Sequence, residues 1–286
     1  MSIRNLQAKL AVLPTVVVIA VCFLGSICWT AYISLTRSGI MPNYTFVGFQ
    51  QYVRLFSTER WIVSFGNMFI FGGLMVAGTL VLGVGLAIMI DSKIRFESIF
   101  RTIFLYPLSL SYIVTGLIWQ WLLTPSIGVQ QFVRSLGWES FTFDWIIQKD
   151  YAIYTLVFAA VWHQAGLIMA IILAGLRGVD EEIWRATRLD GISKARVYAQ
   201  VVLPMLKPLI MTCVVLLAIA VVKSYDLVVA MTDGGPGNSS DLPGRFVIDY
   251  TFERANLGLA SAAAITMLIT IVAVITPLFY TRKGQQ

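Results

Sequence analysis

The sequence predicts an all-α, polytopic membrane protein with six transmembrane helices and a structured cytoplasmic loop between the fourth and fifth. Three observations predict it. Hydrophobic residues make up 58% of the 286 positions and charged residues only 13%, with a mean hydropathy of +0.79. A soluble domain carries roughly 25% charged residues, so much of the usual solvating surface is missing and lipid must stand in for water. Six apolar runs also approach or exceed the roughly 20 residues that a spanning helix needs. Finally, the densest charge falls in one stretch between two apolar runs, "VDEEIWRATRLDGISKARVYAQVVLPMLKP", residues 179–208.

The runs are 10–35, 62–90, 102–123, 152–176, 206–231 and 257–280, read together as one transmembrane domain over 1–286. The first follows Arg4 and Lys9 as a signal peptide would, but its apolar run is too long and lacks a small-x-small cleavage site, so it reads as a retained anchor. The longer runs imply tilt or extension beyond the hydrocarbon. In the second, Gly72, Gly73, Gly78, Gly83 and Gly85 permit close helix approach. Trp61, Trp119, Trp121, Tyr151 and Tyr154 fall near span ends, as an interfacial belt would. Outer loops are expected near 36–61, 124–151 and 232–256. In the first, "FVGFQQYVRLF" is apolar on one face, the pattern of a segment lying at the membrane interface. In the third, "TDGGPGNSSDLPG" is turn chemistry.

Orientation follows from Lys and Arg. With the amino terminus inside, inner segments carry 13 of them and outer segments 7, which favours two cytoplasmic termini. The same charge does not point to nucleic acid, because no cationic face is interleaved with aromatics outside the apolar runs. Cys22, Cys28 and Cys213 sit inside apolar runs without CxxC spacing, and His163 is the single histidine, so neither a disulfide framework nor a metal site is expected. No GxxxxGK[ST] occurs. No catalytic residues are assigned, because no cluster of Ser, His, Asp or Cys suits chemistry.

Within the charged stretch, residues 180–190 read as a helix. Asp180, Glu181 and Glu182 crowd its first turn while Arg185 and Arg188 come later, which suits the helix dipole. Gly191 is placed to stop it, since glycine adopts positive φ without penalty. Ser193 then caps a second helix, Pro204 ends it, and Pro208 enters the first turn of the next span. An ordinary orienting loop remains open as a reading. It needs only a few basic residues, however, whereas a helix pairing Ile183, Trp184 and Ala186 with charge suits docking of a partner in a groove.

Polar residues inside spans are costly in hydrocarbon and usually face the bundle interior or a water-filled cavity. Asn67, Gln120, Gln164, Lys223 and Asp226 are such residues, and Tyr112, Trp162 and Tyr225 add aromatic faces. Amides and carboxylates match hydroxyls and an aromatic covers a sugar ring, so these eight are candidate pathway residues; helix–helix adhesion is the competing role. Lys223 and Asp226, three apart, are expected to share one helix face and neutralise each other.

The charged stretch resembles the EAA loop of the inner-membrane permease subunits of binding-protein-dependent ABC importers. Glu181, Glu182, Ala186, Asp190, Gly191, Leu203, Pro204 and Pro208 match it in order and spacing, while Arg185 and Thr187 depart from the usual Glu and Ala. "RTIFLYPLSLSYIVTGLIWQWLLTPSIG" (101–128) and "SYDLVVAMTDGGPGNSS" (224–240) are similar to the carbohydrate-uptake branch, of maltose and glycerol-phosphate type, and to the first of its two permease partners. The resemblance implies a coupling-helix loop at 178–207, in which Glu181, Glu182, Arg185, Ala186, Asp190 and Gly191 meet an ATP-binding subunit. It further implies a second homologous permease, two ATP-binding subunits, an extracytoplasmic solute-binding protein, a small sugar as cargo and a bacterial-type inner membrane. No cofactor is expected on this chain, with ATP and Mg on the partner subunits. Two alternatives stay open. An ion-coupled secondary transporter would show inverted repeats and broken helices near the midplane, and importers of non-sugar solutes also carry EAA loops.

Overall fold

In hydrocarbon the backbone has no solvent to bond, so each segment must satisfy its own amides, and helix is the expected answer. The computed structural model describes residues 12–92, 95–189 and 192–283. Among these residues it is helical, with an isolated bridge between Thr36 and Phe46 as the only extended pairing. In chain order the helices are α1 (Val12–Ser34), α2 (Gln50–Phe56), α3 (Glu59–Asp91), α4 (Glu97–Leu105), α5 (Tyr112–Leu123), α6 (Val129–Ser135) and α7 (Ala152–Arg177). Then follow α8 (Glu181–Leu189), α9 (Lys194–Met205), α10 (Lys207–Val222), α11 (Tyr225–Met231), α12 (Pro243–Phe252) and α13 (Leu257–Lys283). By length and composition, α1, α3, α7 and Leu257–Pro277 of α13 can each cross a bilayer.

The span expected at 102–123 is broken; the one expected at 206–231 is interrupted between Val222 and Tyr225 and meets the helix before it at a second bend, at Leu206. Glu97–Ser109 and Tyr112–Leu123 meet at 101°, and Lys194–Met205 meets Lys207–Val222 at 73°; counting each bent pair as one span gives up to six. The first break has a local cause. Pro107 lies in a 3-10 turn, Leu110 is extended, and Ser111 caps α5 by accepting a hydrogen bond from the Val114 amide at 3.3 Å. At the second break Pro208 enters the first turn of α10, as expected. Pro204, however, does not end the helix before it. Proline lacks the N–H and crowds the carbonyl four residues back; the turn over Tyr198–Val202 widens to a π-helix, and α9 continues to Met205. Ser193 stands at the amino end of α9, but its side chain makes no capping bond.

Contacts divide the chain into two compact units, Met1–Ile62 with Phe246–Thr270, and Val63–Arg245 with Ile271–Gln286. In the first unit Trp61 is fully buried, edge-on to Phe246 at 5.1 Å, so it is a packing residue and not part of an interfacial belt. Trp121, Tyr151 and Tyr154 are exposed, as a belt requires. Beside Trp61, Arg60 and Asp249 form an ion pair, and Arg254 reaches the same carboxylate at 3.4 Å. Burial alone would raise the pKa of Asp249. Hydrogen bonds with Glu253 and Arg60, and the charges of Arg60 and Arg254, outweigh it and hold the carboxyl below its ordinary 3.8.

In the second unit α7 is the central element, with Leu156, Ile168, Met169 and Ile172 almost fully buried in a core that includes Phe71 and Met75 of α3. Gly72, Gly78 and Gly83 approach Val221, Val161 and Ile168 closely, as expected of them, while Gly73 and Gly85 have nothing within 4 Å. Two closer approaches involve glycines of α7. A Cβ on Gly166 would stand 2.0 Å from the Phe104 carbonyl oxygen, and one on Gly175 would stand 2.4 Å from Leu209. Both lie on α7, beside the two broken spans.

Two outcomes follow. Gly166→Ala must push backbone away from backbone and should cost at least about 1–3 kcal/mol, read as a lower melting temperature in detergent, while Gly73→Ala should melt like wild type. Asp249, with its folded pKa depressed, contributes stability above pH 3.8 that is lost as pH falls through the lowered value. Acid titration of the melting temperature should show this loss in wild type and a shallower slope in Asp249→Asn.

Candidate functional site

The charged stretch folds into a helix with two distinct faces. Ile183, Trp184 and Thr187 of α8 turn inward, and Trp184 packs on the core edge-on to Tyr198 of α9 at 5.4 Å. Glu181, Glu182, Arg185, Ala186 and Leu189 recur at helical spacing on the other face and are exposed, Leu189 to 89%. Four of the six expected docking residues therefore share one open surface. Asp190 and Gly191 lie outside the described residues. Arg185, where the EAA pattern has Glu, pairs with Glu181 at 2.7 Å across one helical turn. Both side chains are well exposed, so the pair adds little stability, but it neutralises part of the acidic first turn. Leu189 escaped the sequence reading. An apolar residue directly before Asp-Gly was the available signal.

A polar link fastens this element to the rest of its unit. The Tyr198 hydroxyl donates to the Asp91 carboxylate, at the carboxy-terminal end of α3, at 2.8 Å. Nearby, Arg177 at the end of α7 pairs with Glu97 of α4 at 2.6 Å. A carboxylate at a helix carboxy terminus opposes the helix dipole, which makes its donor the more valuable.

The candidate pathway residues do not form one cluster. Tyr112 and Gln164 meet: the Gln164 amide donates to the Tyr112 hydroxyl at 2.6 Å. His163 stacks on the Tyr112 ring at 4.4 Å, and its Nδ1 lies 3.0 Å from Thr115 Oγ1. This buried polar group stands immediately after the break that begins α5. Trp162 packs edge-on to Trp119 at 5.6 Å. Gln120 is half-buried on α5.

Asn67 has a different engagement. Its amide donates to the carbonyls of Ser239 (2.8 Å) and Asp241 (3.0 Å), pinning the glycine-rich loop. That loop is braced further by Arg245, which pairs with Asp233 at 2.9 Å and buried Asp241 at 3.6 Å. Gly234 and Gly237 supply its left-handed turns, with φ of 74° and 67°. Lys223 and Asp226 do not share a helix face. The helix breaks between them, α10 ending at Val222 and α11 starting at Tyr225, and no ion pair joins them among the described residues. Both side chains are exposed and Tyr225 is half-buried. Among the described residues no group of three or more His, Cys, Asp or Glu gathers as a metal site would require.

A helical membrane protein with bent spans and a two-faced surface helix is the class these features define. A family model described as binding-protein-dependent transport system inner membrane component matches residues 79–282, and the chain belongs to that family. It is an inner-membrane transport component, not an enzyme. A probable ABC transporter permease protein of Pyrococcus horikoshii is 34% identical over 97% of this chain and 96% of its own. The xylose/arabinose import permease protein of Haloferax volcanii is 29% identical over 85% of this chain and 77% of its own. Among solved structures, a chain of a bacterial alginate ABC transporter in complex with an alginate pentasaccharide-bound periplasmic protein aligns with a TM-score of 0.82. That alignment covers 96% of this chain and 93% of the other at 17% identity, a likeness of fold.

Tyr198→Phe should leave Asp91 without its hydroxyl donor. The expected loss is about 1.5 kcal/mol, the lower range for a hydrogen bond to a charged group. Chemical denaturation of the detergent-solubilised protein measures it, with Asp91→Asn partly restoring the Phe variant.

Proposed function

We propose that this chain is the pore-forming permease subunit of an ATP-driven importer for a sugar or sugar derivative, moved by ATP-binding subunits that grip α8. The observation that carries the reading is the two-faced α8, with one face packed on its own unit and the other, from Glu181 to Leu189, open in the stretch that matches the EAA loop. A helix held on one side and free on the other can pass on a push without unfolding. ATP and Mg belong to the partner subunits, where hydrolysis would occur. A second, homologous permease completes the pathway, and an extracytoplasmic binding protein delivers cargo on the side of the glycine-rich loop. Both termini are then cytoplasmic, as the charge bias favours. Closure of the ATP-binding pair selects between outward- and inward-facing states through their different affinities for the coupling helices.

Sugar as cargo is supported by the xylose/arabinose relative and by the alginate transporter of like fold. The polar cluster Tyr112, His163, Gln164 and Thr115, beside the break in the third span, supplies hydroxyl-matching groups and an aromatic face. Lys223 and Asp226, exposed, and Tyr225, half-buried, flank the break between α10 and α11 and add polar groups to the same proposed route.

The test is Leu189→Arg in the co-expressed, purified complex. The permease should remain in the membrane while retention of the ATP-binding subunits and cargo-stimulated hydrolysis fall at least about tenfold, equivalent to 1.4 kcal/mol of lost docking. Uptake of labelled pentoses and oligosaccharides into proteoliposomes should follow internal ATP. Uptake that follows an ion gradient, with no ATPase retained by wild type, would replace this reading with the secondary transporter.

A further inference from the structure

We propose that α2 and the turn before it form an interfacial anchor, with Phe46, Phe49 and Val53 seated in the lipid headgroup layer beside the outer end of α1. Two observations place this segment at the level where the span ends. The Tyr52 hydroxyl lies 2.8 Å from Ser34 Oγ, on the last residue of α1, and Gln51 donates to the Thr36 carbonyl at 2.9 Å. The inner face of α2 is thereby fixed: Gln51 and Leu55 are buried, Gln51 against Thr36 directly after the span.

The outward face has the opposite character to that of a water-facing helix. Phe46, Phe49 and Val53 are 67%, 73% and 68% exposed, while Gln50 and Arg54 flank them as the polar edge. The surface continues that of α1, whose most apolar 18-residue window has no buried residue among the described residues, while Ile33, at the end of the helix, is buried. Between the two lies an aromatic group of the kind found at headgroup level. Tyr44, from the loop, stacks on Tyr32 of α1 at 6.3 Å and meets Trp29 edge-on at 6.0 Å, with all three rings exposed. Lipid is the occupant that this continuity selects, because one surface runs from span to aromatic group to α2. A helix of this kind rests about 5–10 Å into the headgroup and acyl boundary, and here it would fix the tilt and depth of the first span.

The test uses the whole assembled transporter in liposomes of phosphatidylethanolamine and phosphatidylglycerol, without binding protein. Cys22, Cys28 and Cys213 are replaced by Ala, and a nitroxide is attached to a single cysteine in place of Phe46, Phe49 or Val53. Native Cys22, exposed on α1 and labelled alone, is the hydrocarbon reference; Asn238→Cys, exposed in the outer loop, is the aqueous one. At all three positions the ratio of oxygen to nickel-chelate collisions should exceed that at Asn238 several-fold and stay below that at Cys22. A ratio equal to that at Asn238 means the face meets water, and low collision rates with both reagents mean another protein chain covers it. Either result overturns the proposal. Because the three labels are separate variants, failure of one to assemble leaves two to decide.

Discussion

The architecture depends on α7 accepting two broken neighbours at two glycines. A span that bends sharply frees backbone groups that hydrocarbon cannot satisfy, so each break must lie against protein or line a cavity. Gly166 lets α7 approach the Phe104 carbonyl oxygen, just before the break between α4 and α5, and Gly175 makes room for Leu206 and Leu209 at the break between α9 and α10. The long, buried α7 is thus the reference against which two irregular segments are held. The polar cluster of Tyr112, His163, Gln164 and Thr115 sits beside the first of these breaks. Irregular backbone and buried polar groups occur together because each needs the other's shelter.

The charged element of α8 and α9 obeys the same logic at lower cost. One face of α8 uses Trp184 and Thr187 to pack, and α9 is tied to α3 through Tyr198 and Asp91. The second face carries charge and one exposed leucine, Leu189. The Trp184–Tyr198 aromatic contact and the Tyr198–Asp91 hydrogen bond join this element to α3 within the second unit.

Broken helices are not specific to one energy source. They are expected of ion-coupled transporters, yet they occur here in a chain that belongs to a binding-protein-dependent transport family. A break reflects the need to present polar backbone and side chains inside a membrane, whichever energy source drives the cycle. It therefore does not separate the two mechanisms, whereas the residues of the EAA pattern point to one of them.

Much of this protein was determined by the sequence alone. Apolar run length specified the helical class because only helices satisfy backbone in lipid, and the dense charge at 179–208 singled out the surface element because charge must leave the hydrocarbon. The first break was not among these: 102–123 reads as one span, because an apolar run reads alike whether its helix is straight or bent, and Pro107 and Ser111 explain the break only once it is seen. Tertiary structure alone decided which glycines matter. Gly73 and Gly166 are equivalent in sequence, and only the neighbour that arrives, open space for one and a carbonyl for the other, distinguishes them. It likewise decided that Asn67 holds a loop, that Lys223 and Asp226 fall on either side of a break, and that Trp61 belongs to a core. The physical reason is that composition and periodicity report each segment's own preference for water or lipid, while contacts depend on what the rest of the chain places opposite it.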